Sequence, residues 1–261
     1  MNDRNILHHN ETSWDRKVTD ANQWTVPVSR DTIAAARKGD WSVLLTPTRP
    51  VPRDWFPEMG ELNILGLASA GGQQCPVFAA AGAVVTAFDL SDEQLNQDRL
   101  VAERENLDIR TVQGDMRDLS MFADGSFDLI FHPVANCFVP DIRSVWQECF
   151  RVLTPGGTLL AGFANPLLYM LPDPELDGTR EPILTHPIPY SDDKRLTEEQ
   201  KIRYLEQGWS LEFGHTLTDQ IAGQIDAGFV LTGFYEDRHH LADHPINRFG
   251  SAFIATRAKK W

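Results

Sequence analysis

The chain has 261 residues, 42% of them hydrophobic and 23% charged, with a net charge of −13. That balance is globular, and the length allows one large domain or one domain with additions. An acidic chain without a Lys/Arg cluster lacks the basic face on which nucleic-acid binding depends, and no apolar run reaches the length of a membrane span, so the expected partner is a small molecule.

Residues 1–60 hold five prolines and four of the seven tryptophans, which predicts a helical and irregular N-terminal cap. Trp14, beside Asp15 on an expected N-terminal helix, is the candidate for an aromatic lid; the other three tryptophans are expected to pack the cap against the rest. Residues 1–5 show no basic-then-apolar signal pattern, so a cytoplasmic location is expected. Cys75, Cys137 and Cys149 are too few and too widely spaced for a disulfide framework or a zinc motif, and buried reduced thiols are expected.

From residue 61 the pattern alternates. The apolar run at Ile64 leads into a turn of small residues, Gly66-Leu67-Ala68-Ser69-Ala70-Gly71-Gly72-Gln73. A short helix follows at Pro76 to Ala81, then a strand from Ala83 to Phe88 that ends in Asp89. Ser91 is a natural N-cap for a helix over 92–106, with Leu95, Leu100 and Val101 apolar. Strands are predicted at 109–112, 128–131 and 158–163, with a helix over 142–153 that stops before Pro155-Gly156-Gly157. Six prolines mark 165–214 as an inserted segment with a charged surface helix over 198–206. A helix over 216–227 and strands at 229–235 and 252–256 complete the chain. Strands alternating with helices imply right-handed crossovers and an α/β fold with a parallel sheet.

The turn after the first strand and the acid after the second belong together. Small residues let main chain approach a ligand closely, and Asp89, 23 residues after Gly66, can grip the two hydroxyls of a ribose. A nucleoside-containing cofactor is expected. Alone, Gly66 to Gly71 also fits a loosened G-x-A-x-x-G nicotinamide pattern.

Three further features narrow the choice: Gly114-Asp115-Met116-Arg117-Asp118-Leu119, then Phe127-Asp128-Leu129-Ile130-Phe131, then Arg151 to Leu160 around Pro155-Gly156-Gly157. In this order they resemble the class I S-adenosylmethionine-dependent methyltransferases of small-molecule type, strongly over 62–164 and more weakly beyond. The resemblance implies a three-layer, Rossmann-like sheet of seven strands, mostly parallel with the last antiparallel, helices on both faces, a domain over 61–261 and a lid insertion over 165–214. It implies S-adenosyl-L-methionine as cofactor, with Ala68, Ser69, Ala70, Gly71, Gly72 and Gln73 in the cofactor turn. Asp89 would bind the ribose, Leu90 would lie beside the adenine, and Asp115 and Met116 would contact the adenine. His132 and Pro133 would border the sulfonium, and Trp14 would close over the cofactor. The chain departs from the family in having Gly66 where an acid is common, and alanine for glycine at 68 and 70; a side-chain amide of Gln73 or Gln74 is the expected compensation.

Methyl transfer from a sulfonium needs alignment and water exclusion more than a shared catalytic group. His132 and His215 are the candidate bases for an acceptor that must lose a proton. Tyr190 and His215 are the candidate substrate contacts. Equally ordinary roles compete: His132 as a ring bonded to main chain, His215 as a helix-end partner beside Thr216. His239, His240 and His244 match no common zinc spacing and read as a polar loop, so no metal is expected. Two other functions remain open on the residues: a nicotinamide-dependent oxidoreductase, and a cofactor-binding protein without catalysis.

Overall fold

Side chains along the first strand, β1 (Asn63–Leu67), feed two cores at once. In a computed structural model, which describes residues 3–172 and 181–261, Ile64 packs with Val85, Ala87, Leu129 and Phe131 on one face of the sheet. Leu65 and Leu67 pack with Phe88, Ile130 and Leu159 on the other. Strands covered on both faces read as apolar runs rather than as alternation, which is why these segments stand out in the sequence. Burying each large side chain contributes roughly 1.5–3 kcal/mol, so the two cores dominate the stability of the domain.

The sheet has seven strands in the order β3-β2-β1-β4-β5-β7-β6. The others are β2 (Val84–Asp89), β3 (Ile109–Gln113), β4 (Phe127–His132), β5 (Leu153–Ala164), β6 (Phe229–Asp237) and β7 (Phe253–Lys260). Neighbours from β3 to β5 are parallel, and β7 is antiparallel to both β5 and β6, as the sequence led us to expect. One face carries α2 (Arg30–Ala36), α3 (Gln74–Ala80) and α4 (Asp92–Glu105); the other carries α5 (Arg143–Val152).

Two differences from expectation have physical causes. The last strand runs to Lys260 rather than 256, because it pairs with β5 as far as Thr158 and its terminal ammonium donates to the carbonyls of Phe150 and Leu153 at 2.6 and 2.7 Å. The helix expected over 216–227 is a π-turn at Thr218–Ala222 running into one turn of α-helix at Gly223–Asp226. There the Trp146 indole nitrogen donates to the Asp219 carbonyl at 3.0 Å, and the ring lies against Gly223 where a Cβ would not fit, which disturbs the regular ladder. In α4, Leu100 points to solvent, and the buried stripe is Gln94, Leu95, Asp98 and Val101.

The N-terminal helix α1 (Asp3–Thr19) packs against α4. Asn10 anchors it, with its amide donating to the Phe138 and Leu211 carbonyls and accepting from the Leu211 amide at 2.7 Å. Ile6 packs with Tyr204, Leu211 and Phe213, so the charged helix α6 (Glu198–Gln207) buries one face against α1 rather than lying free on the surface. Residues 173–180, within the expected insertion 165–214, lie outside the described residues.

Candidate functional site

After β1 the chain turns through Ala68 at φ +48°, Gly71 at +106° and Gly72 at +71°. The two glycines adopt a backbone that L side chains rarely take. Gly66 is glycine for a different reason: a Cβ there would run into Cys75 Sγ and Ser69 Oγ. The space an acid would need is filled by neighbours. Gln73 does not supply a substitute, because its amide nitrogen donates to the carbonyls of Gln23 and Val26 at 3.0 and 3.1 Å and so ties the N-terminal cap to the turn. The turn is held instead by main-chain donation to the neighbouring elements. Ala68 N reaches Phe88 O at 2.7 Å and Ala70 N reaches Asp89 Oδ2 at 3.3 Å.

A cavity of about 590 Å³ opens at the carboxyl ends of β1 to β4. Open α/β sheets gather ligands at this edge. Its wall includes Trp14, Ala68, Ser69, Ala70, Gln73, Asp89, Leu90, Asp115, Met116, Pro133 and Tyr190, all singled out from sequence. Gly71, Gly72, His132 and His215 are not on the wall.

Burial pushes the Asp89 carboxyl up to about 6, against the pull of the Ser91 and Ala70 amides, with Asp15 adding like charge. Asp115 forms a two-oxygen pair with Arg117, whose guanidinium lies 2.8 Å away. Between these two carboxylates the wall is apolar, with Leu90 and Met116. That pair of acceptors suits a nucleoside, whose hydroxyls and exocyclic amine are donors and whose base is flat and apolar on its faces.

The two histidines need correcting. His132 is fully buried; Nδ1 bonds the Leu67 carbonyl at 2.8 Å and Nε2 pairs with the side-chain amide of Asn136, which in turn meets Gln220 at 2.9 Å. Burial lowers its pKa and holds it neutral near pH 7. His215 is buried too, bonded through Nε2 to the Asn136 carbonyl at 3.0 Å, with its pKa likewise lowered by burial. Both belong to a polar ladder that braces the end of β4, not to the surface that meets a ligand.

The rest of the wall was mostly invisible in the sequence. Leu44 to Pro47 cross the end of the sheet, where the Leu45 main chain packs on Gly162 and accepts from Val134 N at 3.2 Å. Tyr169 stacks on Tyr190 at 5.4 Å and donates its hydroxyl to Glu212 at 2.8 Å. Lys17 lies 4.0 Å over the Trp14 ring. In the polar loop between the last two strands His239 stacks on His244 and His240 at 4.0 and 4.5 Å, and this column faces the cavity. The amides of Leu241 and Ile246 donate to Nδ1 of His239 and His244, so in the neutral rings the proton sits on Nε2. Among the described residues no group of side chains is arranged to hold a metal ion.

A seven-stranded sheet of this order, with an antiparallel last strand and a cavity at the carboxyl ends of its parallel strands, defines the class I methyltransferase architecture. The family model for a methyltransferase domain matches residues 65–161. A Bacillus subtilis protein described as the uncharacterized methyltransferase YbaJ is 48% identical over 255 residues, spanning 98% of both chains. The chain belongs to the class I S-adenosylmethionine-dependent methyltransferases. It is an enzyme of methyl transfer, with S-adenosyl-L-methionine as its methyl donor. Among solved structures, an S-adenosylmethionine-dependent methyltransferase from Mesorhizobium loti superposes with a TM-score of 0.62 at 21% identity, covering 79% of this chain and 94% of that one. The 1,6-didemethyltoxoflavin-N1-methyltransferase of Burkholderia thailandensis, solved with S-adenosylhomocysteine, gives 0.59 at 13% identity over 100% of this chain and 91% of that one. At such identities the likeness is one of fold.

Proposed function

We propose that the enzyme methylates a small molecule, held in the aromatic half of the cavity against the cofactor in the other half. The observation that carries this is the continuity of one cavity of about 590 Å³ from the strand ends to the Tyr190 wall. Its size is that of a small-molecule site, and the chain's acidity disfavours a nucleic-acid acceptor. The toxoflavin-precursor enzyme of like fold is a precedent for such an acceptor.

In this reading Asp89 accepts from the ribose hydroxyls. Leu90 and Met116 cover the adenine faces, Asp115 meets the exocyclic amine, and Ala68, Ser69, Ala70 and Gln73 receive the methionine part, with Gly71 and Gly72 shaping the turn from behind. Pro133 borders the methyl group and Trp14 closes the site from α1. The bound cofactor supplies an already activated methyl group, so the protein's share is alignment and exclusion of water. Tyr190 and Tyr169 offer the acceptor a stacked platform. Catalysis then rests on that alignment rather than on proton removal by His132 or His215. The cytoplasm remains our proposed location, in keeping with three free, buried cysteines.

Methyl-tritiated S-adenosylmethionine, incubated with the enzyme and a bacterial extract, tests the acceptor class. Label recovered in the low-molecular-weight fraction supports the proposal. Label confined to protein or nucleic acid contradicts it.

A further inference from the structure

A buried acid on α4 has no part in the site as described so far. Asp98 is 0% exposed and lies three residues from both Leu95 and Val101, inside the apolar stripe of its helix. A carboxyl group in such a place is costly unless donors meet it. Its donors come from the cofactor turn. Gly71 N reaches Asp98 Oδ2 at 3.2 Å, sharing its hydrogen with the Gln94 carbonyl at 3.1 Å. The Gly72 amide faces the same carboxyl with poorer alignment, and Oδ1 is left without a well-aligned partner.

Two carboxyl groups from different elements thus hold consecutive amides of one turn: Asp89 takes Ala70 and Asp98 takes Gly71. No side chain on β1 can do this, since Gly66 has no room for one. Nor does Gln73, whose amide is spent on the N-terminal cap. The turn itself holds two glycines at positive φ, a conformation that the local chain does little to enforce.

We propose that Asp98 is the positioning residue of the cofactor turn. From behind the turn it fixes the Gly71 and Gly72 amides, and so sets the shape of the pocket that receives the amino-acid end of S-adenosylmethionine. Asp98 is not on the cavity wall and acts through the turn. The inference rests on the assignment of the turn to that end of the cofactor.

The test compares two ligands. S-adenosylhomocysteine carries the amino-acid end; 5′-methylthioadenosine carries the same nucleoside and sulfur without it. Dissociation constants for both are measured by calorimetry on the wild type, Asp98→Ala and Asp98→Asn. In the wild type S-adenosylhomocysteine binds the more tightly. Asp98→Ala weakens it by about tenfold, the loss expected when the acceptor of a buried amide is removed, and leaves 5′-methylthioadenosine within twofold. Asp98→Asn, which keeps one acceptor oxygen, recovers most of the loss. Equal weakening of both ligands in Asp98→Ala, or no weakening of either, overturns the proposal. A wild type with no preference between the ligands overturns instead the assignment of the turn.

Discussion

The guanidinium of Arg117 lies 2.8 Å from the carboxylate of Asp115, two residues before it in the loop after β3. The same guanidinium reaches Asp3 on α1 at 3.0 Å, so the proposed adenine contact and the helix that roofs the cavity share one cation. Asp115 is oriented by this pair, while its remaining lone pairs stay available to a ligand.

Loss of the orienting cation should therefore be felt in cofactor affinity. Arg117→Ala is expected to weaken S-adenosylhomocysteine binding by about tenfold, since it frees and leaves uncompensated a largely buried carboxylate. Asp3→Ala, at a site 70% exposed, should change affinity less than twofold. Calorimetric titration of the two variants checks this; equal effects would show that the roof contact, not the orientation of Asp115, matters.

As the proposed ribose ligand, Asp89 should make binding pH-dependent. Burial raises its folded-state pKa to about 6, so the apoprotein carries it charged above that value and neutral below. A ribose diol donates hydrogen bonds, which favour the charged form. Affinity for S-adenosylhomocysteine should accordingly be level above pH 7 and fall as the pH drops through 6. Asp89→Asn should bind more weakly at pH 7.5 and show a flatter profile between 5 and 7. An unchanged slope in that variant assigns the titration to another group.

Asp98 bears on stability as well. Its folded-state pKa is raised to about 8 by burial, with the Asp89 charge adding to the rise, against an ordinary value of 3.8. The native state holds that proton where the unfolded chain has lost it, so the stabilisation is complete below about pH 4 and lost as the pH rises through 8. The buried histidines, with lowered pKa values, act in the opposite sense below 6.5. The clean window is pH 6.5–8. There the thermal midpoint of the apoprotein should fall with rising pH, and Asp98→Asn should abolish most of the slope. A wild-type midpoint that is flat across this window contradicts the assignment.

His132 should matter to folding. Replacing it with alanine removes the partner of the Leu67 carbonyl and of the Asn136 side chain, both buried, and opens a cavity beside Trp146. A loss of about 2–4 kcal/mol in denaturant unfolding is expected. A loss under about 0.5 kcal/mol would show that the ring is not part of the ladder that braces β4.

Tyr190 is the proposed contact to the acceptor. Its hydroxyl donates to Asp192 at 2.7 Å and accepts from Arg195 at 3.0 Å, so the ring face is what it offers the cavity. Once an acceptor is recovered by label transfer, Tyr190→Ala should raise its KM several-fold and leave S-adenosylhomocysteine affinity unchanged; a matching loss of cofactor affinity would place Tyr190 in the other half of the site.

The strand–turn–helix–strand unit from Asn63 to Asp89 was legible because local patterns fix it: apolar runs of strand length, small residues where the chain must turn, an acid at the strand end. The same holds for Ser91, whose side chain caps α4 by accepting from Gln94 N as expected. What escaped depends on meetings between distant segments. Nothing near Leu45 announces that it will pack on Gly162, nor near Lys17 that it will lie beside Phe138. His132 was legible as a strand-end residue, yet its inward direction follows from the Leu67 carbonyl on the neighbouring strand. Asp98 did leave a signal, an acid at helical spacing between Leu95 and Val101, but a polar residue in an apolar stripe becomes meaningful only when its partner is known.

The proposed cofactor site is the cavity at the ends of β1 to β4, with Asp89 on its wall. Calorimetric titration of S-adenosylhomocysteine at pH 7.5 into the wild type and Asp89→Ala tests that most directly. We expect one site per chain in the wild type and at least tenfold weaker binding in the variant. Wild-type affinity in Asp89→Ala would contradict the placement of the cofactor in this cavity.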